Sequence, residues 1–303
     1  MQLLRTVLAG LTLPRAVDGR LMLAVDISAW LRPDAAPSPD RWFCHVYGRG
    51  RNKDQLIPGW PYSFVAALEP GRTSWTQVLD AVRLGPDDDV TAVQVCPVVR
   101  RLVTAGQWRH GDPDVLVMFD AGYDLARLAF LLADMPVDVM GRLRSNRVFR
   151  LPAPPRAEGT IGRPVKHGGE FQFADTDTWP DADVSTLTDI SRYGMASATG
   201  WDRLHPRLTR RAAWLDYDGD LPVLEGTLIR LVVDHLPSDS DPRPLWLWSS
   251  RVGASSAYVD RLWQMFLCRF GLEHSPSAGP CRGSERPQRP GQRAARHPRT
   301  RGS

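Results

Sequence analysis

Lysine is nearly missing from this chain. Lys53 and Lys166 are the only two among 38 basic residues, and the other 36 are arginine. Forked contacts to phosphate would favour arginine, but a coding bias toward Arg, Ala, Gly and Pro explains the skew more simply. Cysteine is sparse as well. Cys44, Cys96, Cys268 and Cys281 are scattered without metal-ligand spacing, so neither a zinc site nor a disulfide framework is expected, and a reducing cytoplasm fits. No apolar run is long enough to span a bilayer. The N-terminus carries Arg5 and lacks a small-residue cleavage site, so no signal peptide is expected. Large apolar and aromatic residues are absent after His274, and the segment 275–303 is expected to be a disordered basic tail. Its seven arginines against Glu285 give it a net +6, which leaves the body at −2 within a total of +4. The tail therefore sets the high isoelectric point, and its composition fits GC-rich DNA read out of frame better than a nucleic-acid-binding arm.

What is present reads as an α/β chain. Residues 2–10 predict a short helix and 21–27 a strand. The runs 42–47 and 62–68 are β-rich, separated by the basic loop 48–53 and by Pro58-Gly59. Helical stretches are expected over 74–84 and 91–105, the second interrupted by Pro97. A strand over 114–119, a helix over 123–133 and a strand over 137–143 follow. This order predicts a mixed sheet in which three antiparallel strands lead into parallel ones. From 150 to 243 the texture turns rich in Pro, Gly, Thr and Asp, and short β-prone runs such as 212–215 and 228–233 predict a β-rich insertion outside that sheet. Leu245–Trp248 is one more strand, and 255–274 is an amphipathic helix with Val259, Leu262, Trp263, Phe266 and Phe270 on one face.

Two apolar runs end on a carboxylate: Leu21-Met22-Leu23-Ala24-Val25-Asp26 and Val115-Leu116-Val117-Met118-Phe119-Asp120. A buried strand that stops at Asp places the charge at the sheet edge, within reach of a metal. Glu273 follows on the last helix, where Phe266, Arg269 and Glu273 fall on one stripe. Three such carboxylates form an oxygen cage for divalent cations, suited to cutting phosphodiesters. The simpler readings are strand-end aspartates that start turns and a surface Arg–Glu pair worth a few tenths of a kcal/mol.

In these residues the chain resembles the DDE transposases of bacterial insertion sequences. The resemblance rests on Leu-Ala-Val-Asp26-Ile-Ser-Ala-Trp30, the stretch from His45 to Lys53, Val-Met-Phe-Asp120-Ala-Gly-Tyr123, Gly141-Arg-Leu-Arg144 and Phe266-x2-Arg269-x3-Glu273. It implies a ribonuclease-H-like core over 1–149, a β-rich insertion over 150–243, and the last strand and catalytic helix over 244–274. It implies Asp26, Asp120 and Glu273 as catalytic residues and ligands of two Mg²⁺ (or Mn²⁺) ions, acting on transposon ends and target DNA, with a homodimer in the synaptic complex and a nucleoid location. Phosphate contacts would fall to Arg49, Arg51, Lys53, Arg142, Arg144, Arg147 and Arg269, the last of which could instead orient the carboxylate. Trp246, Trp248 and Trp263 are expected in the core, while Trp179, Trp201 or Trp214 could stack on a flipped base. Two departures point to truncation at both ends: Pro280 stands where the signature has lysine, and the segment before the first catalytic strand is short. The alternatives are an inactive remnant that only binds DNA and a hydrolase of small phosphoesters.

Overall fold

The computed structural model describes residues 2–34, 40–46, 55–70, 76–85, 94–156, 158–159, 161–191, 193–211, 214–215, 217–236 and 241–269. Its strands are β1 (Met22–Leu31), β2 (Trp42–Val46), β3 (Gln55–Leu68), β4 (Thr76–Arg83), β5 (Val115–Phe119), β6 (Val137–Leu143), β7 (Val148–Arg150), β8 (Glu170–Gln172), β9 (Val184–Ile190), β10 (Gly194–Leu204), β11 (Gly226–Val233) and β12 (Leu245–Ser249). The helices are α1 (Gln2–Gly10), α2 (Val95–Thr104), α3 (Leu125–Leu131) and α4 (Ser256–Cys268).

Ten strands form one sheet in the order β2-β3-β1-β5-β6-β12-β11-β10-β9, with β4 also paired to β3; β7 and β8 make a separate hairpin. β1 lies antiparallel to β3 and parallel to β5, which lies parallel to β6. The order β4-β3-β1-β5-β6, in which β3 alone runs against the other four, is the expected ribonuclease-H-like arrangement. β5 and the first four residues of β1, Met22–Val25, are flanked on both edges and covered on both faces, which is why each reads as an unbroken apolar run; from Asp26 on, β1 emerges from the core. Alternation sorts their side chains. Leu23, Val25, Val117 and Phe119 join the core under α1, α2 and α3, whereas Met22, Ala24, Leu116 and Met118 join the core under α4.

Several expectations are corrected. Residues 74–84 hold the strand β4, not a helix: it pairs with the inner half of β3, and its buried Asp80 bonds Arg5 of α1 and Arg101 of α2 at 2.7 Å each. Pro58-Gly59 lies within β3, opposite Phe43 and Trp42 of β2. A Cβ on Gly59 would sit 2.5 Å from the Trp30 carbonyl oxygen, so close strand approach explains the glycine. Pro97 lies in the first turn of α2, where its missing N–H costs nothing. β9, β10 and β11 extend the main sheet rather than forming a structure of their own. The run 212–215 is no strand where described, at Trp214 and Leu215, and the tail 275–303 lies outside the described residues.

α4 is seated by its first half. Ser255 caps it through the Tyr258 N–H, Val259, Leu262, Trp263 and Phe266 are buried, and Thr188 of β9 donates to Asp260 at 2.7 Å. Tyr258 donates to Asp138 of β6 at 2.8 Å, and Asp138 also takes Arg20 at 2.6 Å. These contacts aim the C-terminal end of α4 at the β1–β5 edge.

Candidate active site

Register brings the two sequence-marked aspartates together. Val25 of β1 is level with Phe119 of β5, so Asp26 and Asp120 follow at one level on adjacent parallel strands, about 4.8 Å apart by strand spacing. Both continue the alternation of Ala24 and Met118, which directs them to the α4 face. Neither carboxylate is explained by a turn. At Asp120 the turn is closed by the backbone, with the Tyr123 N–H donating to the Asp120 carbonyl at 3.3 Å, and the side-chain Oδ1 is buried without a hydrogen bond.

Arg269, just past the last turn of α4, reaches this pair. Its guanidinium is 1% exposed, stacks 5.2 Å over the Phe266 ring and lies 3.4 Å from Asp120 Oδ1. The expected stripe of Phe266 and Arg269 therefore faces the sheet. Of the two roles expected for Arg269, its burial against Asp120 fits orienting a carboxylate rather than holding a phosphate. Burial pushes the Asp26 carboxyl above the usual aspartate range, Arg269 and the Ile27 N–H pull it back down, and Asp120 pushes it up.

Tyr123 went unmarked as a site residue although it stands three positions after Asp120. Its ring packs on Phe119 at 5.1 Å, and its hydroxyl is buried without a geometric hydrogen bond. Burial first, and the fields of Asp26 and Asp120 after it, make it harder to ionise than a free tyrosine, while the neighbouring Ser63 hydroxyl and Arg269 work the other way. Ser63, 1% exposed, has no hydrogen bond at its own hydroxyl either. The signal for Tyr123 was its place in the Asp120-Ala-Gly-Tyr string; nothing local marks Ser63, which only strand pairing brings here.

The remaining predicted residues divide. Glu273, Arg49, Arg51 and Lys53 lie outside the described residues. Arg142, Arg144 and Arg147 are exposed. Arg142 lies level with Asp120 on the neighbouring β6, one step past the Phe119–Gly141 pair, whereas Arg144 and Arg147 line a groove beyond the strand end. The common face expected for Arg142 and Arg144 is thus not a common site. Trp246, Trp248 and Trp263 are buried as expected. Trp179 and Trp201 are corrected as stacking candidates. They pack with Phe171, Phe173 and Trp246, and their indole N–H groups donate to the Gln172 and Pro180 carbonyls.

Among the described residues no group of three or more His, Cys, Asp or Glu side chains is placed to hold a metal. The described part still fits a hard divalent cation: two adjacent carboxylates, one with a buried oxygen that has no hydrogen bond, offer oxygen donors and no soft ligand. This arrangement costs stability. A carboxyl whose folded value is raised stabilises the fold when protonated, and that contribution is lost as pH rises through the folded value. At neutral pH, Asp26→Asn should therefore raise the melting temperature of the metal-free protein, with the gain disappearing as pH falls toward the ordinary aspartate range of about 4. Calorimetry in chelator at several pH values checks this, and an unchanged or lower melting temperature at neutral pH refutes it.

Comparison with solved structures gives a piggyBac transposase in a synaptic complex with hairpin DNA, at 14% identity and a TM-score of 0.34, covering 83% of this chain and 39% of that one. The chain thus spans well under half the length of that protein. No curated protein matches. The family model for DDE superfamily endonucleases matches residues 1–207, two thirds of the sequence, a span that includes Asp26 and Asp120. By that match, the chain belongs to the DDE superfamily endonucleases.

Proposed function

We propose that this chain is the catalytic domain of a DDE transposase, cleaving DNA strands and joining them to a target during movement of an insertion sequence. The observation that carries the reading is the level placement of Asp26 and Asp120 on adjacent parallel strands, with Arg269 at the end of α4 against them. Glu273 follows Arg269 by one helical turn in sequence and would complete the carboxylate set. In this reading, residues 1–149 and 244–274 are the catalytic core, and 150–243 is an insertion that widens its sheet.

The residues' tasks follow from their chemistry. Asp26, Asp120 and Glu273 would hold Mg²⁺ or Mn²⁺, which when bound stabilises phosphoryl oxygens and acidifies the attacking hydroxyl. Asp26 must first give up the proton that burial favours. Arg269 holds the carboxylates in place before cations arrive, limiting their mutual repulsion. Arg142, level with Asp120, is suited to a DNA phosphate at the reacting end. A second copy of the chain, as in a synaptic dimer, belongs to the same proposal.

The test is nicking of supercoiled plasmid by the purified chain with Mg²⁺ or Mn²⁺, set against chelator. Activity that needs the cation and is lost in Asp120→Asn supports the reading. One sequence feature favours the rival, an inactive relative that only binds DNA: Pro280 in place of the signature lysine. Binding without nicking would establish that rival.

A further inference from the structure

A groove of about 700 Å³ opens beside the Asp120 turn, on the face of the sheet opposite α4. Its wall runs from Ala121–Ala126 past the end of β6 to the β7–β8 hairpin and the 206–211 segment. Four exposed arginines line it: Arg144, Arg147, Arg207 and Arg211. None of them has an ion pair or side-chain hydrogen bond among the described residues. Other cations of the neighbourhood are engaged, Arg150 with Glu170 at 2.7 Å and Lys166 with Asp220 at 3.5 Å.

The rest of the lining is also short of acceptors. Among the described residues the indole N–H of Trp214, 3% exposed, has no partner. Of the two lining acids, Glu170 is taken by Arg150, and Asp124 caps α3 by accepting the Arg127 N–H at 3.1 Å. A groove so furnished with donors suits a ligand made of acceptors and carrying repeated negative charge. Tyr123 joins it to the carboxylates, since it lines the groove and feels the charges of Asp26 and Asp120.

We propose that this groove holds the phosphodiester backbone of the substrate DNA strand as it leaves the carboxylate pair, with Arg144, Arg147, Arg207 and Arg211 on consecutive phosphates. The inference rests on the nuclease reading for the identity of the strand and on the groove for its path. The strand crosses the β5–β6 edge rather than staying on the α4 face. Gly122 lies on this route, and a Cβ built on it meets nothing within 4 Å.

The experiment measures binding of a labelled oligonucleotide, as single strand and as duplex, to the full chain in chelator across a salt series. The quadruple Ala variant at Arg144, Arg147, Arg207 and Arg211 should bind at least about a hundredfold more weakly, with the log–log salt slope shallower by about 3–4 for duplex. A control with Arg100, Arg109, Arg243 and Arg261 changed to Ala removes the same charge elsewhere and should keep most of the affinity. The Arg144→Gln/Arg147→Gln pair serves if the quadruple variant fails to fold, with about half the change in slope. Quadruple-variant binding within threefold of wild type, or equal loss in the control, overturns the proposal. Stabilisation of wild type alone by millimolar pyrophosphate, without an effect of the variants on strand binding, would give the groove to small anions and also overturn it. Nicking is not read here, so a failed groove leaves the nuclease reading intact, and absent nicking leaves the groove result standing.

Discussion

Asp120→Asn should lower metal-dependent nicking by roughly 10³-fold or more while leaving the fold in place. The amide keeps the size of the carboxylate but removes the charge that a hard cation needs. Its structural cost is small for two reasons. The turn at 120–123 is closed by the Asp120 backbone carbonyl, which the variant retains. The Asp120 side chain is also 40% exposed, and Asp26 remains beside the buried Arg269 as its counter-charge, so loss of the 3.4 Å pair costs the fold little. Nicking and thermal unfolding measured on one preparation separate the two roles. Retained nicking within tenfold of wild type would return Asp120 to an ordinary strand-end residue, and a collapse of the fold would make its role structural.

Arg269→Met is expected to destabilise the metal-free protein by about 3 kcal/mol, near the lower end of what removing one partner of a buried ion pair costs. The lower end applies because Arg269 is 1% exposed but Asp120 is not buried. At this chain length each kcal/mol corresponds to about 2–4 °C of melting temperature, so a fall of about 6–12 °C is expected. The loss should depend on pH. Arg269 is the largest influence holding the Asp26 carboxyl down, and without it that group shifts further above the aspartate range. A protonated carboxyl needs no counter-charge, so the gap to wild type should be widest at about pH 8 and narrow as pH falls through the raised Asp26 value. Saturating Mg²⁺ should also close part of it, since a cation between the carboxylates replaces the lost guanidinium. A gap that is constant with pH and indifferent to Mg²⁺ would mean that Arg269 acts by packing on Phe266 alone.

The strands that carry Asp26 and Asp120 were readable because a strand covered on both faces must be apolar throughout, and such runs end abruptly where β5 leaves the sheet and where β1, still paired with β3 as far as Leu31, emerges from the core. The strand β4 was not. Val78, Leu79 and Val82 fall at helical spacing, and a bulge at Leu79, which is passed over between the Val65–Asp80 and Ala66–Val78 pairs, breaks the two-residue alternation that would have betrayed a strand. β9 to β11 were read as β but assigned elsewhere, because no local pattern tells a chain which sheet its strands will join. The level placement of Asp26 and Asp120 was a guess from two separate runs, and only β1–β5 pairing gives it. Arg269 was marked by spacing, yet its burial depends on the seating of α4 by Asp138 and Thr188, both more than 80 positions upstream of it. The groove arginines Arg207 and Arg211 gave no sign in a chain where arginine is everywhere.

The seating of α4 also orders events during synthesis. At about 5–20 residues per second, the 149 positions between Asp120 and Arg269 take roughly 7–30 s to emerge from the ribosome. Throughout that interval β1 and β5 can already pair, with two carboxylates side by side and no guanidinium to restrain them. If the proposed nuclease reading holds, a nascent chain carries an unfinished cutting centre next to polynucleotide-rich surroundings, and the arrival of α4 decides when it becomes competent.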